Sequence, residues 1–320
     1  MKRLLTHKYP GPSTEAPSNA EESVLLITGG YVGVGNGGSL SSVEVYPSTS
    51  GCSPPALPTG RDEHTTFLTS EPNPVIATCG GEVVGRATTA SCLVLDKSNH
   101  RWDESRMGDL TRPRRLSAVA TLDSVGVFII GGRATNNERT SNFLVAGQMQ
   151  WQEGPALPVR MLRPCAVEIT PTSFLSIHGT DIREFDVAIA GPTSSEGWRE
   201  AGRWPALQTS RIYQPGCAKI GQKVIIAGGY KLSSTEVLDL VNRRITSGGE
   251  MATPRSYFHI VTIVAGGEEK MFALAGYDGS TRHNTVEEWV EENSTWKAAD
   301  NLVEKRNSFG AVLAPRHLVC

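Results

Sequence analysis

Six short apolar runs, each ending in glycine, recur along this chain at a spacing close to fifty residues. They read VLLITGG at Val24 to Gly30, VIATCGG at Val75 to Gly81 and VFIIGG at Val127 to Gly132. FLSIHG follows at Phe174 to Gly179, then VIIAGG at Val224 to Gly229 and MFALAG at Met271 to Gly276. A period of this length marks an architecture in which one supersecondary unit is copied and stacked. With 33 Gly and 19 Pro among 320 residues, the chain is punctuated too often for long helices, so the expected class is all-β.

Other features ride on the same period. SSVEVY at Ser41 to Tyr46, SSTEVLDL at Ser233 to Leu240 and NTVEEW at Asn284 to Trp289 alternate apolar with polar residues, as strands do. About twenty residues beyond the glycines comes an aromatic slot, filled by Trp102, Trp151, Trp198 and Trp296 and replaced by Cys52 and Ile245 in the other two units. A large flat side chain there suits packing between neighbouring sheets. A basic turn follows, seen in LPTGR at Leu57 to Arg61, LTRPRR at Leu110 to Arg115 and MATPR at Met251 to Arg255, and then a further strand such as SAVATL or GAVLA.

The hydrophobic run, double glycine, spaced aromatic and Pro-Arg turn resemble the kelch repeat family, over about Ser23 to Ala314. The resemblance implies four-stranded units and a six-bladed β-propeller. Closure is expected where Ser308 to Ala314 pairs with Val24 to Thr28, uniting the N- and C-terminal strands and removing an open edge. The fourth unit departs most from the pattern, with His178 in place of the first glycine and poorly marked strands between Asp181 and Trp198. Residues 1–22, rich in Pro, Ser, Glu and Ala, are read as a flexible tail, and residues 23–320 as the propeller.

A net charge of -2 and a pI near 6.4 give no global pull toward nucleic acid, and no long apolar run predicts membrane insertion. The opening residues lack the apolar core of a signal peptide, so a cytoplasmic location is the first expectation and secretion the alternative if the N-terminus is incomplete. Six cysteines bear on that choice without deciding it. Cys79 and Cys92 are expected opposite one another in a hairpin, within reach of a disulfide or else packed as small hydrophobes. With Cys52 they are similar to a pattern in some extracellular invertebrate kelch proteins. Cys165 and Cys217 read as core packing, and Cys320 has no assignment. Asn293, Ser294 and Thr295 form a glycosylation sequon that matters only in a secreted chain.

Gly33, Gly35 and Gly38 match GxGxxG, but a strand follows rather than the helix whose N-terminus would hold a pyrophosphate, so a loop between strands is expected and no cofactor. The seven histidines include no local ligand pair. Galactose oxidase, a kelch-propeller enzyme with a copper site, supplies no ligand set that matches here, so a copper radical oxidase is the least favoured reading. A sialic acid epimerase-like enzyme, taking a small anionic sugar in the central pocket, is the enzymatic alternative. The first reading is a non-catalytic module, an adaptor or scaffold, binding an acidic or aromatic segment of another protein on its loop face. The family's BTB domain has no room before Ser23. Candidate contacts are Arg115, Arg133, Arg163, Arg282, Tyr31, Tyr230 and Tyr277, because Arg and Tyr concentrate binding energy. Arg114, Arg255 and Arg306 repeat too regularly for that and are read as structural.

Overall fold

The computed structural model describes residues 23–33, 38–48, 51–70, 72–85, 87–134, 139–265 and 267–320. The expected tail and Gly35 lie outside them.

The described chain is all-β, with antiparallel sheets throughout. Each glycine-ending run is the second strand of a sheet, counted from the inside, or in the first sheet the strand that pairs with the C-terminal one. The second sheet runs Thr65–Leu68, Ile76–Cys79, Cys92–Asp96 and Arg101–Asp103; the third runs Ala118–Leu122, Gly126–Ile130, Ser141–Val145 and Trp151–Glu153. The fifth, Gly216–Ile220, Lys223–Ala227, Thr235–Asp239 and Arg244–Gly248, and the sixth, His259–Ala265, Glu268–Tyr277, Arg282–Val290 and Thr295–Ala299, repeat this order. The fourth has three strands, Cys165–Thr170, Ser173–His178 and Asp181–Asp186, and its outer lane shrinks to one bridge between Phe185 and Trp198. A helical turn at Val187–Ala190, capped by Asp186, interrupts the chain where the sequence pattern is weakest.

In the first sheet Ser23–Thr28 lies between Val43–Tyr46 and Gly310–Pro315, with Thr28 opposite Gly310 and Val24 opposite Ala314. The last strand of the chain is thus the inner neighbour of the first. The innermost strands touch in sequence from sheet to sheet, and the sixth sheet's His259–Ala265 touches Gly310–Pro315 of the first. Each of six apolar clusters fills the space between two successive sheets. Phe67, Cys79 and Val94 meet Ile129 and Trp151 between the second and third, and Leu25 and Ile27 meet Phe272 and Leu274 between the first and sixth. Of the four tryptophans in the repeated slot, Trp102 and Trp151 are below a tenth exposed, and Trp198 and Trp296 are partly buried against the clusters of their own sheets.

All six cysteines are paired, one pair as the sequence allowed and two not foreseen. Cys79 and Cys92 are bonded across paired strands, with Cα atoms 4.2 Å apart. Cys165 and Cys217, expected to pack as free thiols, are bonded as well, because they begin the first strands of adjacent sheets and face each other across the gap. Cys320 joins Cys52, 268 residues away, after a final helical turn at Arg316–Val319 folds back on the first sheet.

Candidate interaction surface

Arg61, Arg114, Arg211, Arg255 and Arg306 share one repeated position ahead of the sheets and are at most 2% exposed. Each donates through Nη1 to a carbonyl at the end of a glycine run: Gly80, Gly131, Gly228, Ala275 and Gly29 respectively. Each also reaches a Ser or Thr hydroxyl at the start of the next strand. A buried guanidinium is tolerated only when so satisfied. Arg211, Arg255 and Arg306 have carboxylate partners in Glu236, Glu287 and Glu44. Arg61 and Arg114 rely on carbonyls and hydroxyls, and burial pulls each down to about 10. The repeated arginine therefore bolts the incoming connection to the sheet. Gly80 permits the close approach: with φ at +70°, a Cβ there would sit 2.5 Å from the Arg114 carbonyl oxygen. In the fourth unit the buried place belongs to Met161, whose Sδ accepts from Ser176 Oγ, while Arg160 is exposed.

Two residues beyond this position stand Glu63, Leu116, Arg163, Tyr213, Tyr257 and Ser308, all left-handed, with φ between 54° and 63°. Five of their backbones are linked, since Leu116 N–H donates to Glu63, Glu63 to Ser308, Ser308 to Tyr257 and Tyr257 to Tyr213, and Arg163, over the Tyr213 ring, completes the belt. The belt surrounds the mouth of a central cavity of about 180 Å³, lined by first-strand residues of all six sheets. His64 and His259 lie in its wall, and burial holds both below their ordinary value, that of His64 strongly. They are neutral at pH 7.

Against the belt lies a second hollow of about 210 Å³, and here both loop sets meet. Tyr31, Tyr277 and Arg282 come from connections after glycine runs, and Glu63, Arg115 and Tyr257 from connections before sheets. Arg282 lies over the rings of Tyr31 and Tyr277, at 5.1 and 4.8 Å from their centroids. Gly33, at φ +82°, makes room for that guanidinium, since a Cβ would fall 2.4 Å from its Nη1. Gly33 thus serves an arginine, and Val43–Tyr46, the strand beyond it, offers no helix N-terminus. Arg163 lies over Tyr213 and Tyr257 at 4.7 and 5.4 Å. Among the described residues neither Arg163 nor Arg282 has a carboxylate partner.

Arg115 is placed differently. Its Nη1 bonds Glu63 and, at 2.7 Å, Glu82, so its charge is already spent within the hollow. Burial raises the Glu63 carboxyl above its usual range, and Arg115 opposes that shift. Asp62, Glu63 and Glu82 gather carboxylate oxygens within 4.8 Å, but Arg115 supplies their counter-charge. Arg133 pairs with Arg115 along a short two-stranded ribbon and is exposed at the margin, outside the hollow's lining. Tyr230, 43% exposed, is joined to the group through Tyr213, 5.1 Å between ring centroids.

Arg115, Arg282, Tyr31 and Tyr277 therefore line one hollow, Arg163 and Tyr230 extend it, and Arg133 stands beside it. Tyr213, Tyr257, Glu63 and Glu82 belong to the surface and have no local motif. The signal for both tyrosines is their place two residues after a repeated arginine. Burial pushes the Tyr257 hydroxyl up to about 12, so it remains a hydrogen-bond donor at neutral pH. Compared with known proteins, the chain matches no family model and no curated protein.

Proposed function

We propose that the chain is a six-bladed kelch-type β-propeller, closed by its terminal strands, whose loop face binds an acidic or aromatic segment of another protein. Six interlocking apolar clusters and the cyclic contact of the innermost strands support the architecture. The observation that carries the function is the pair of guanidiniums, Arg163 and Arg282, each lying over two tyrosine rings and unpaired with any carboxylate among the described residues. Stacking fixes their direction, and an incoming carboxylate finds a cation and an apolar wall together. The enzymatic alternative is less supported. The central cavity, at about 180 Å³, falls below the roughly 300–1,000 Å³ of small-molecule sites, and no carboxylate is among its lining residues.

Three disulfides favour an oxidising compartment over the cytoplasm expected from the opening residues, so we assign the protein to the secretory pathway or the cell exterior. No helix among the described residues is long and apolar enough to cross a membrane.

The test is titration with a soluble Glu–Tyr copolymer at two ionic strengths. Arg163→Ala with Arg282→Ala should weaken binding at least thirtyfold, since truncating a charged contact costs about 2–5 kcal/mol. Replacing Lys97, Arg101, Arg243 and Arg244, beside the outer strands, should leave binding unchanged. The reverse ranking moves the site to the rim; turnover of an anionic sugar promotes the enzyme.

A further inference from the structure

We infer that Asn293 is an N-glycosylation acceptor, a reading that rests on the oxidising compartment proposed above. Asn293, Ser294 and Thr295 make up the one sequon in the chain. The structure adds what a motif match lacks. The three residues lie where Arg282–Val290 turns into Thr295–Ala299, and the turn is held from the neighbouring sheet: Gly249 N–H donates to the Ser294 carbonyl at 2.7 Å, and Lys223 pairs with Glu291. On this fixed turn the Asn293 side chain is exposed. Thr295 Oγ1 donates to Asn293 Oδ1 at 2.6 Å, so the amide oxygen is engaged and Nδ2 donates no hydrogen bond among the described residues.

The group that reacts in glycan transfer is thus the one left without a hydrogen bond among the described residues, on an exposed side chain. Its co-reactant is a lipid pyrophosphate-linked oligosaccharide. The amide nitrogen bonds the anomeric carbon, the bond from that carbon to phosphate oxygen breaks, the lipid pyrophosphate departs, and the nitrogen gives up one proton.

Position also fits a sugar. Arg282 starts its strand at the hollow and Val290 ends it eight positions later, about 26 Å away at roughly 3.3 Å per residue. A glycan on Asn293 leaves the hollow open and covers the opposite end of the sixth sheet.

The experiment directs the full chain through the secretory pathway of cultured eukaryotic cells behind a cleavable leader. Intact mass is read before and after peptide N-glycosidase, with a non-reducing peptide map of the same sample. One oligosaccharide, removable by the glycosidase, is expected on the parent and on Thr295→Ser, which keeps the sequon. It should vanish in Asn293→Gln and Thr295→Val, and copolymer binding should not change in either. Secreted protein with Asn293 bare overturns the inference, as does a glycan that survives Asn293→Gln. The disulfide map reports separately whether the compartment reading stands.

Discussion

Cys165 and Cys217 are bonded at the starts of adjacent first strands, two residues beyond Arg163 and four beyond Tyr213. The bridge thus lies beneath the part of the mouth where Arg163 lies over the Tyr213 ring and joins two neighbouring connections. Four other steps between left-handed tips, Leu116 to Glu63, Glu63 to Ser308, Ser308 to Tyr257 and Tyr257 to Tyr213, carry backbone hydrogen bonds. At this seam a covalent bond and a cation–π contact stand together, and the disulfide faces the central cavity.

Removing that bridge should therefore act on stability and on the mouth together. A bond closing a loop of 52 residues contributes about 3–4 kcal/mol by chain entropy. Cys165→Ala with Cys217→Ala should lower the urea midpoint accordingly. Affinity for the Glu–Tyr copolymer should fall too, because Arg163 and Tyr213 lose their common anchor. Equal midpoints and equal affinities would show that the surrounding sheets position both residues without the bond.

Arg115 should behave unlike its neighbours. Glu82 is 9% exposed and Glu63 is half-buried, so Arg115→Ala leaves two carboxylates without their cation. Breaking a buried pair in this way costs about 3–5 kcal/mol. Arg163→Ala and Arg282→Ala strand no acid and should cost about 1 kcal/mol each, the worth of their ring contacts. The check is a set of denaturation curves in which Glu63→Gln with Glu82→Gln restores the Arg115→Ala protein. Failure to restore would mean that Arg115 matters through packing.

The repeat was legible because glycine runs and tryptophans recur at fixed offsets, and each offset answers to one physical need: a left-handed turn, or a flat ring between sheets. The buried role of Arg114, Arg255 and Arg306 followed from the same regularity. The hollow was only half legible. Tyr31, Tyr277 and Arg282 follow glycine runs, whereas Tyr257 reaches Arg163 across 94 positions of chain. Arg115 reads as a free cation in sequence, since Glu63 and Glu82 arrive from other connections. Cys165 with Cys217 and Cys52 with Cys320 cross between elements, and strand alternation carries no information about such partners.

Deleting residues 306–320 should dismantle the first sheet. The deletion takes Arg306, which bonds the Gly29 carbonyl and pairs with Glu44, together with Phe309, Ala314 and the Cys52 bridge. Several buried side chains at about 1.5–3 kcal/mol each rival a domain's whole stability of roughly 5–15 kcal/mol, and Ser23–Thr28 is left with an open edge. Light scattering should show association, and thermal unfolding should shift down or lose cooperativity. A monomer melting where the parent melts would contradict closure through this strand.

The two histidines of the central cavity predict how stability responds to mild acid. His64 Nε2 bonds Thr28 Oγ1 and His259 Nε2 bonds the Phe309 carbonyl, each at 2.9 Å, while His64 Nδ1 is buried without a partner. Burial is the main cause of both lowered values, and for His64 the charges of Arg61 and Arg306 add to it. The folded protein therefore holds both rings neutral below the pH at which the unfolded chain, near 6.5, takes up protons. In that window the unfolded state binds more protons, so stability falls as pH falls, by up to about 1.4 kcal/mol per pH unit for each histidine. The window from pH 6.5 to 5 lies above most carboxylate titration and isolates the effect. Urea midpoints should decline across it in the parent, and the decline should shrink in His64→Gln and again in His64→Gln with His259→Gln. A parent whose midpoint is flat from pH 7 to 5 would mean that protons reach these rings in the folded state as easily as in the unfolded one, and that the cavity wall is open to water.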